Sequence, residues 1–218
     1  NAISEISHRG PDQSSVLVST DQKCAFAHCR LSIIDLSDNA SQPMHCEIAD
    51  VYLSFNGEIY NYKEIKKVLL SEGITFSSES DTEVVLRSYI KWGKDCFSKF
   101  NGMFALAIYD EKINTIFLSR DRAGEKPLFY YQNNNNLYFA SELKGLLANQ
   151  HLPRDLSYTA FDSYLAHGYV QRDQCILRGY RKLRPGHFLE WHTPSDTFND
   201  ICTSLLNSKG DPRSFPLP

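Results

Sequence analysis

Residues 100–141 read FNGMFALAIYDEKINTIFLSRDRAGEKPLFYYQNNNNLYFAS, and this stretch decides the fold class. It contains four apolar, aromatic-rich runs of strand length, FNGMFALAIYD, TIFLSRD, KPLFYYQ and NLYFAS, divided by the turn signals EKIN, RAGE and NNNN. Turns this short favour antiparallel pairing, since parallel neighbours need a crossover of a dozen residues or more. Working outward, SVLVST, CAFAHC, VYLSF and HFLEW are further strand candidates. A helix is expected after Asn61, capped by it, with Glu64 completing a capping box, Ile65, Val68 and Leu69 on one face and Gly73 as the stop. A second opens at SDTE, where Ser80 and Glu83 have the S-x-x-E spacing, Val85, Leu86, Tyr89 and Ile90 form the buried face and Gly93 lies past the end. Shorter helices are expected at SELKGLLA and around SYTAFDSYLAHG. Strands bunched together with helices bunched apart predict an α+β arrangement of sheets packed on each other with helices on the outer faces.

At 218 residues, 42% hydrophobic and 22% charged, the chain can bury one large core. Its net charge of −3, with lysines and arginines scattered, gives no phosphate-tracking surface, so no nucleic-acid partner is expected. No apolar run approaches the ~20 residues of a membrane-spanning helix, so no membrane partner is expected and the cytoplasm is the expected compartment. The six cysteines (Cys24, Cys29, Cys46, Cys96, Cys175, Cys202) lack a C-x-x-C pair and read as reduced thiols; the seven histidines include no H-E-x-x-H, so no metal is expected. From Thr193 onward the pattern decays, with Ile201 and Leu205 marking an amphipathic turn or two.

The pair Asn56–Gly57 stands where VYLSF ends and a helix must begin. Asn-Gly is the commonest hairpin signal, Arg30 in HCRLSIIDLS reads as a surface charge, and Asp81 reads as first-turn decoration favoured by the helix dipole. Taken jointly, their chemistry suits one guest. A free amino acid needs a cation for its α-carboxylate, which Arg30 offers as a bidentate fork. It needs an anion for its α-ammonium, which Asp81, kept ionised by the helix N-terminus, and Glu58 offer. A side-chain amide beside a glycine N–H, Asn56 and Gly57, makes an oxyanion cradle.

HRGPD, RLSIIDLS, QPM, NGEIYNY, SDTEV, GMFALAIYD, RDRAGEKPL, FASELK and KLRPGHFLE, in this order from His8 to Glu190, closely resemble the glutamine-hydrolysing domain of asparagine synthetases, a class II glutamine amidotransferase. The resemblance implies an N-terminal-nucleophile hydrolase fold, a four-layer αββα sandwich of two antiparallel sheets, over residues 1–193. Residues 194–218 are an unassigned tail or the start or remnant of a synthetase domain. It implies that Arg30 takes the glutamine α-carboxylate with Leu31, Ser32, Ile33 and Ile34 lining the pocket, that Glu58 and Asp81 hold the ammonium, and that Asn56 and Gly57 form the oxyanion hole. RDRAGEKPL and FASELK read as architectural. In the family the nucleophile is an N-terminal cysteine whose own α-amine serves as base. Asn1 cannot do this and no internal cysteine matches the position, so the nucleophile is expected ahead of Asn1 and the chain as given is expected to be inactive alone. The implied reaction is glutamine hydrolysis to glutamate and ammonia, with no cofactor here. A synthetase domain in cis, absent from this sequence, would use ATP and Mg²⁺ to make asparagine from aspartate. A different acceptor, a sugar or natural-product acid, and a non-catalytic glutamine-binding regulatory module are the alternatives; a homodimer stays open.

Overall fold

The structure, a computed structural model, describes residues 2–30, 41–133, 135–192 and the backbone of 203–204. Strand β4 (Val51–Ile59) is next to the edge of a six-stranded sheet, and the Asn-Gly pair lies inside it rather than in a turn. Asn56 faces Ala105 and Gly57 faces Phe104 of the antiparallel neighbour β5 (Gly102–Asp110). The two backbones press together there: a Cβ on Gly57 would overlap the Met103 carbonyl, and one on Gly102 the Glu58 carbonyl. Gly57 also has φ of +146°, which side-chain-bearing residues rarely adopt. Overpacking and backbone strain each cost ~1–3 kcal/mol, so Gly57→Ala is expected to lose ~3 kcal/mol in a urea titration. A wild-type unfolding midpoint would show that this contact yields easily.

Alternation along β4 divides two cores. Val51, Leu53, Phe55 and Ile59 pack with Ile65 and Leu69 of α2 (Tyr62–Ser71) and with Val84, Val85, Leu86 and Tyr89 of α3 (Asp81–Trp92). Tyr52 points the other way, into a core shared with Ala105, Ala107, Tyr109, Phe26, Leu128 and Tyr130. The first sheet is antiparallel, ordered β11 (Thr203–Ser204), β10 (His187–His192), β6 (Thr115–Arg120), β5, β4, β3 (Met44–Cys46). The second layer consists of two ladders, β1 (Gln13–Val18) with β2 (Ala25–Arg30), and β8 (Asn136–Ala140), β7 (Phe129–Asn133), β9 (Tyr180–Lys182). Both lie on the same face of the first sheet, with Phe26 of β2 and Phe139 of β8 in ring contact at 5.7 Å. Outside them α4 (Leu143–Leu147) covers Phe129, Tyr131 and Tyr138. The α5 helix (Tyr158–His167) follows, capped by Ser157, and a four-residue α1 (Ala2–Glu5) precedes β1 and contacts α4. The order of layers is helix, sheet, sheet, helix, as expected, with the second sheet split in two.

Several local expectations change. RAGE is not a hairpin turn, because β6 belongs to the first sheet and β7 to the second, so the chain changes layer there. The crossing is built on Asp121, whose buried carboxylate accepts from the N–H groups of Phe104, Ala123, Glu125 and Lys126. Arg120 braces it by donating to the carbonyls of Lys126, Leu183 and Gly124. The architectural role expected of RDRAGEKPL lies in these bonds. Asn61 precedes α2 without a side-chain cap; its amide instead donates to Lys99 O at 2.9 Å and accepts from Asn101 N at 2.9 Å. Val68 is exposed and Ile90 sits at the margin, while Val84 is fully buried. Ser80 does cap α3, accepting from Glu83 N. Ile201 and Leu205 lie outside the described residues.

Candidate active site

A cavity of about 660 Å³ opens between the sheets, and Arg30, Asn56, Gly57, Glu58 and Asp81 all line it. Each is placed by a different piece of the fold. Arg30 ends β2 and is 9% exposed. Ser54, Asn56 and Glu58 alternate along β4 on the face that begins with Tyr52. Asp81 is the first residue of α3, and its Oδ2 accepts from Ile59 N at 3.0 Å, which ties the helix start to the end of β4. Ala105 and Ala107 on the facing stretch of β5 are small enough to leave the space open. Leu31, Ser32, Ile33 and Ile34 lie outside the described residues.

Both signs of charge line the cavity, the Arg30 guanidinium and the carboxyls of Glu58 and Asp81. Burial raises the Asp81 carboxyl above the usual aspartate range, the N–H groups of Ile59 and Thr82 pull it down without cancelling the rise, and Glu58 pushes it up again. The N–H groups at the helix start favour the carboxylate, as expected, but burial outweighs them in the direction of the shift. A cation entering beside Glu58 and Asp81 would favour the carboxylate further. In the same cavity the Asn56 Nδ2 is buried with no hydrogen-bond acceptor. An unpaired buried donor costs ~1–3 kcal/mol, so a group that accepts from it gains on arrival.

Other residues at the cavity were not singled out from the sequence. Gln42, 8% exposed, straps the edge of β4: its Oε1 accepts from Phe55 N at 2.7 Å and its Nε2 donates to Phe55 O at 2.9 Å, continuing with a side chain the pairing that β3 makes with β4. Its signal was the QPM motif. His28 of β2 meets Ser54 Oγ through Nδ1 at 3.1 Å, and burial, helped by Arg30, pushes its imidazole down to about 4. Arg9 lines the rim and bonds Glu142 at 2.8 Å, with His8 and Lys144 on the same carboxylate. Hydrogen bonds from Arg9 foremost, with those of Lys144 and His8, hold Glu142 down to about 2, which gives FASELK a bracing role for HRGPD. Among the described residues Cys24, Cys29, Cys46, Cys96 and Cys175 are free thiols. Cys24 is inert, its thiol pushed up to about 12 by burial, whereas Cys29 lines the cavity with Sγ 3.5 Å from Ile3 O.

Comparison with known proteins agrees with this geometry. The family description "glutamine amidotransferase domain" matches residues 1–200. Glutamine-hydrolyzing asparagine synthetase 3 of Bacillus subtilis is 38% identical over 187 residues, 84% of this chain and 30% of the relative. Glutamine-hydrolyzing asparagine synthetase 2 of the same species is 43% identical over 190 residues, 85% and 25% respectively. Amidase chry2 of Gibberella zeae is 35% identical over 184 residues, 84% and 27%. Among solved structures, glutamine phosphoribosylpyrophosphate amidotransferase from B. subtilis, complexed with ADP and GMP, superposes with a TM-score of 0.61 at 18% identity, covering 91% of this chain and 46% of that one. The chain belongs to the glutamine amidotransferase domain family, is homologous to glutamine-hydrolysing asparagine synthetases, and shares the fold of the phosphoribosylpyrophosphate amidotransferase. It spans 25–30% of the length of these curated relatives.

Proposed function

We propose that this domain binds glutamine in the 660 Å³ cavity and hydrolyses its side-chain amide to glutamate and ammonia. The observation that carries the proposal is the convergence of Arg30, Glu58, Asp81 and the unpaired Asn56 amide on one cavity. Arg30 holds the α-carboxylate, Glu58 and Asp81 hold the α-ammonium, and the Asn56 amide with the Gly57 N–H holds the oxygen that becomes negative on attack. The nucleophile is an N-terminal cysteine thiolate from a segment ahead of Asn1. It adds to the amide carbon, the nitrogen leaves as ammonia with a proton from the terminal amine, and water releases glutamate from the thioester. Cys29 is not assigned this part, since it sits within β2 and contacts the Ile3 carbonyl.

Ammonia would pass to an ATP- and Mg²⁺-dependent synthetase domain elsewhere in the polypeptide, with aspartate as acceptor; the length and names of the curated relatives support this. A different acceptor remains the second reading, favoured by the similarity to the Gibberella amidase, and the sequence of the adjoining domain separates the two. Residues 1–193 form the amidotransferase unit, and the compartment proposed is the cytoplasm; no helix among the described residues is long and apolar enough to cross a membrane.

Glutamate release by the full-length protein tests the assignment. Arg30→Ala and Asp81→Ala are expected to raise KM for glutamine about 10- to 100-fold with a smaller change in kcat, because these charge-assisted bonds persist from ground state to transition state. Normal KM in both variants would refute the binding assignment. The raised Asp81 carboxyl adds a pH signature. Ammonium binding needs the carboxylate, so KM should rise on acidification through a pKa above the ordinary aspartate range, and binding should release protons. In Asp81→Asn that limb should vanish. The same variant should not be less stable at neutral pH, since a raised carboxyl pKa means the folded state disfavours the ion once pH exceeds the unfolded value.

A further inference from the structure

Two strands that carry the site come from different layers. Arg30 is on β2 and Asn56 on β4, and a hydrogen bond joins side chains next to both at the cavity: His28 Nδ1 to Ser54 Oγ, 3.1 Å. His28 is two residues from Arg30 and Ser54 is two residues from Asn56, so each stands next in line on the same strand face. The bond is therefore a cross-sheet strut one residue pair away from the groups proposed to hold the carboxylate and the oxyanion. We propose that the His28–Ser54 hydrogen bond fixes the spacing between Arg30 and Asn56, making His28 a positioning residue for amide hydrolysis. The proposal rests on the glutaminase reading of the site.

Its chemistry is that of a strut and not of a base. The charged group that acts on the imidazole is Arg30 on its own strand, and Glu58, further along β4, lines the same cavity. With its basicity lowered by burial and by Arg30, the ring is neutral at physiological pH and offers one donor and one acceptor. Ser54 can answer either tautomer, since a hydroxyl both gives and takes. Loss of the strut would let Arg30 shift against the groups carried on β4, so that a bound glutamine no longer sets its amide squarely on Asn56, and misplacement by about 1 Å can lower turnover ~10²-fold.

The experiment uses the full-length protein and glutamate release, with kcat expressed per active site labelled by the glutamine analogue 6-diazo-5-oxo-norleucine. His28→Ala and Ser54→Ala are each expected to lower kcat about 10-fold or more and to raise KM by a smaller factor, and the double variant should be no worse than either single one. His28→Asn, whose amide can reach where Nδ1 lies, should recover most of the loss, and the pH profile should keep the wild-type shape throughout. Additive losses, a loss confined to the labelled fraction, or no rescue by Asn would overturn the strut. So would wild-type kcat in the single variants, with the glutaminase reading intact. Were the wild-type protein to hydrolyse no glutamine, that reading would fall and the strut with it. Should His28→Ala not fold, Ser54→Ala against His28→Asn decides the matter.

Discussion

Asn56→Ala is expected to lower kcat for glutamine hydrolysis about 10²- to 10³-fold and to raise KM far less. Nδ2 is a buried donor with no acceptor in the empty cavity, so in the resting protein it contributes nothing that truncation could remove. Its value arises when the amide oxygen gains charge, and loss of one such donor typically costs about 2.7–4 kcal/mol of transition-state stabilisation. Removal of an unpaired buried group should also leave stability equal or slightly improved. An equal loss in substrate affinity would mean that Asn56 recognises glutamine in the ground state, and an unchanged rate would remove it from the oxyanion site.

Asp121→Ala carries the largest expected effect on stability. The carboxylate is 1% exposed and accepts from four backbone N–H groups, those of Phe104, Ala123, Glu125 and Lys126. Each donor left unpaired costs ~1–3 kcal/mol, and with partial access of water to the truncated site a total loss of about 4–5 kcal/mol is expected. Because this hub holds the crossing between sheets, with Lys126 and Leu128 at the cavity wall, unfolding should show a lower midpoint and hydrolysis a lower rate together. Asp121→Asn retains the acceptor oxygen and should recover about half. A loss below ~1 kcal/mol for Asp121→Ala would mean that the crossing is held by Arg120 instead.

Much of the sheet was legible because an apolar run of strand length is a local property: VYLSF, GMFALAIYD and TIFLSRD are such runs. The short EKIN turn also announces the pairing of β5 with β6, whereas β4 meets β5 only after the intervening α2 and α3. Features fixed by distant neighbours were not. RAGE has the length of a hairpin loop, and only the positions of β6 and β7 in different sheets make it a crossing. Asn56–Gly57 has the composition of a turn, yet the glycine is demanded by the closeness of Met103, which no local pattern announces. Asn61 has the right type for a cap and is diverted by Lys99 and Asn101. At the site, charge logic and family likeness located Arg30, Asn56, Gly57, Glu58 and Asp81 around one cavity. Burial overrode the helix dipole at Asp81, and His28 and Gln42 went unnoticed because their partners are separated in sequence and joined only by the fold.

The central physical claim is that both ends of one glutamine are held at once, and a crystal of the full-length protein soaked in L-glutamate or L-glutamine measures it directly. Expected is one ligand with its α-carboxylate on Arg30, its ammonium between Glu58 and Asp81, and its side-chain oxygen about 3 Å from Asn56 Nδ2. A ligand in the reverse orientation, or bound at a site that excludes Asn56, would contradict it.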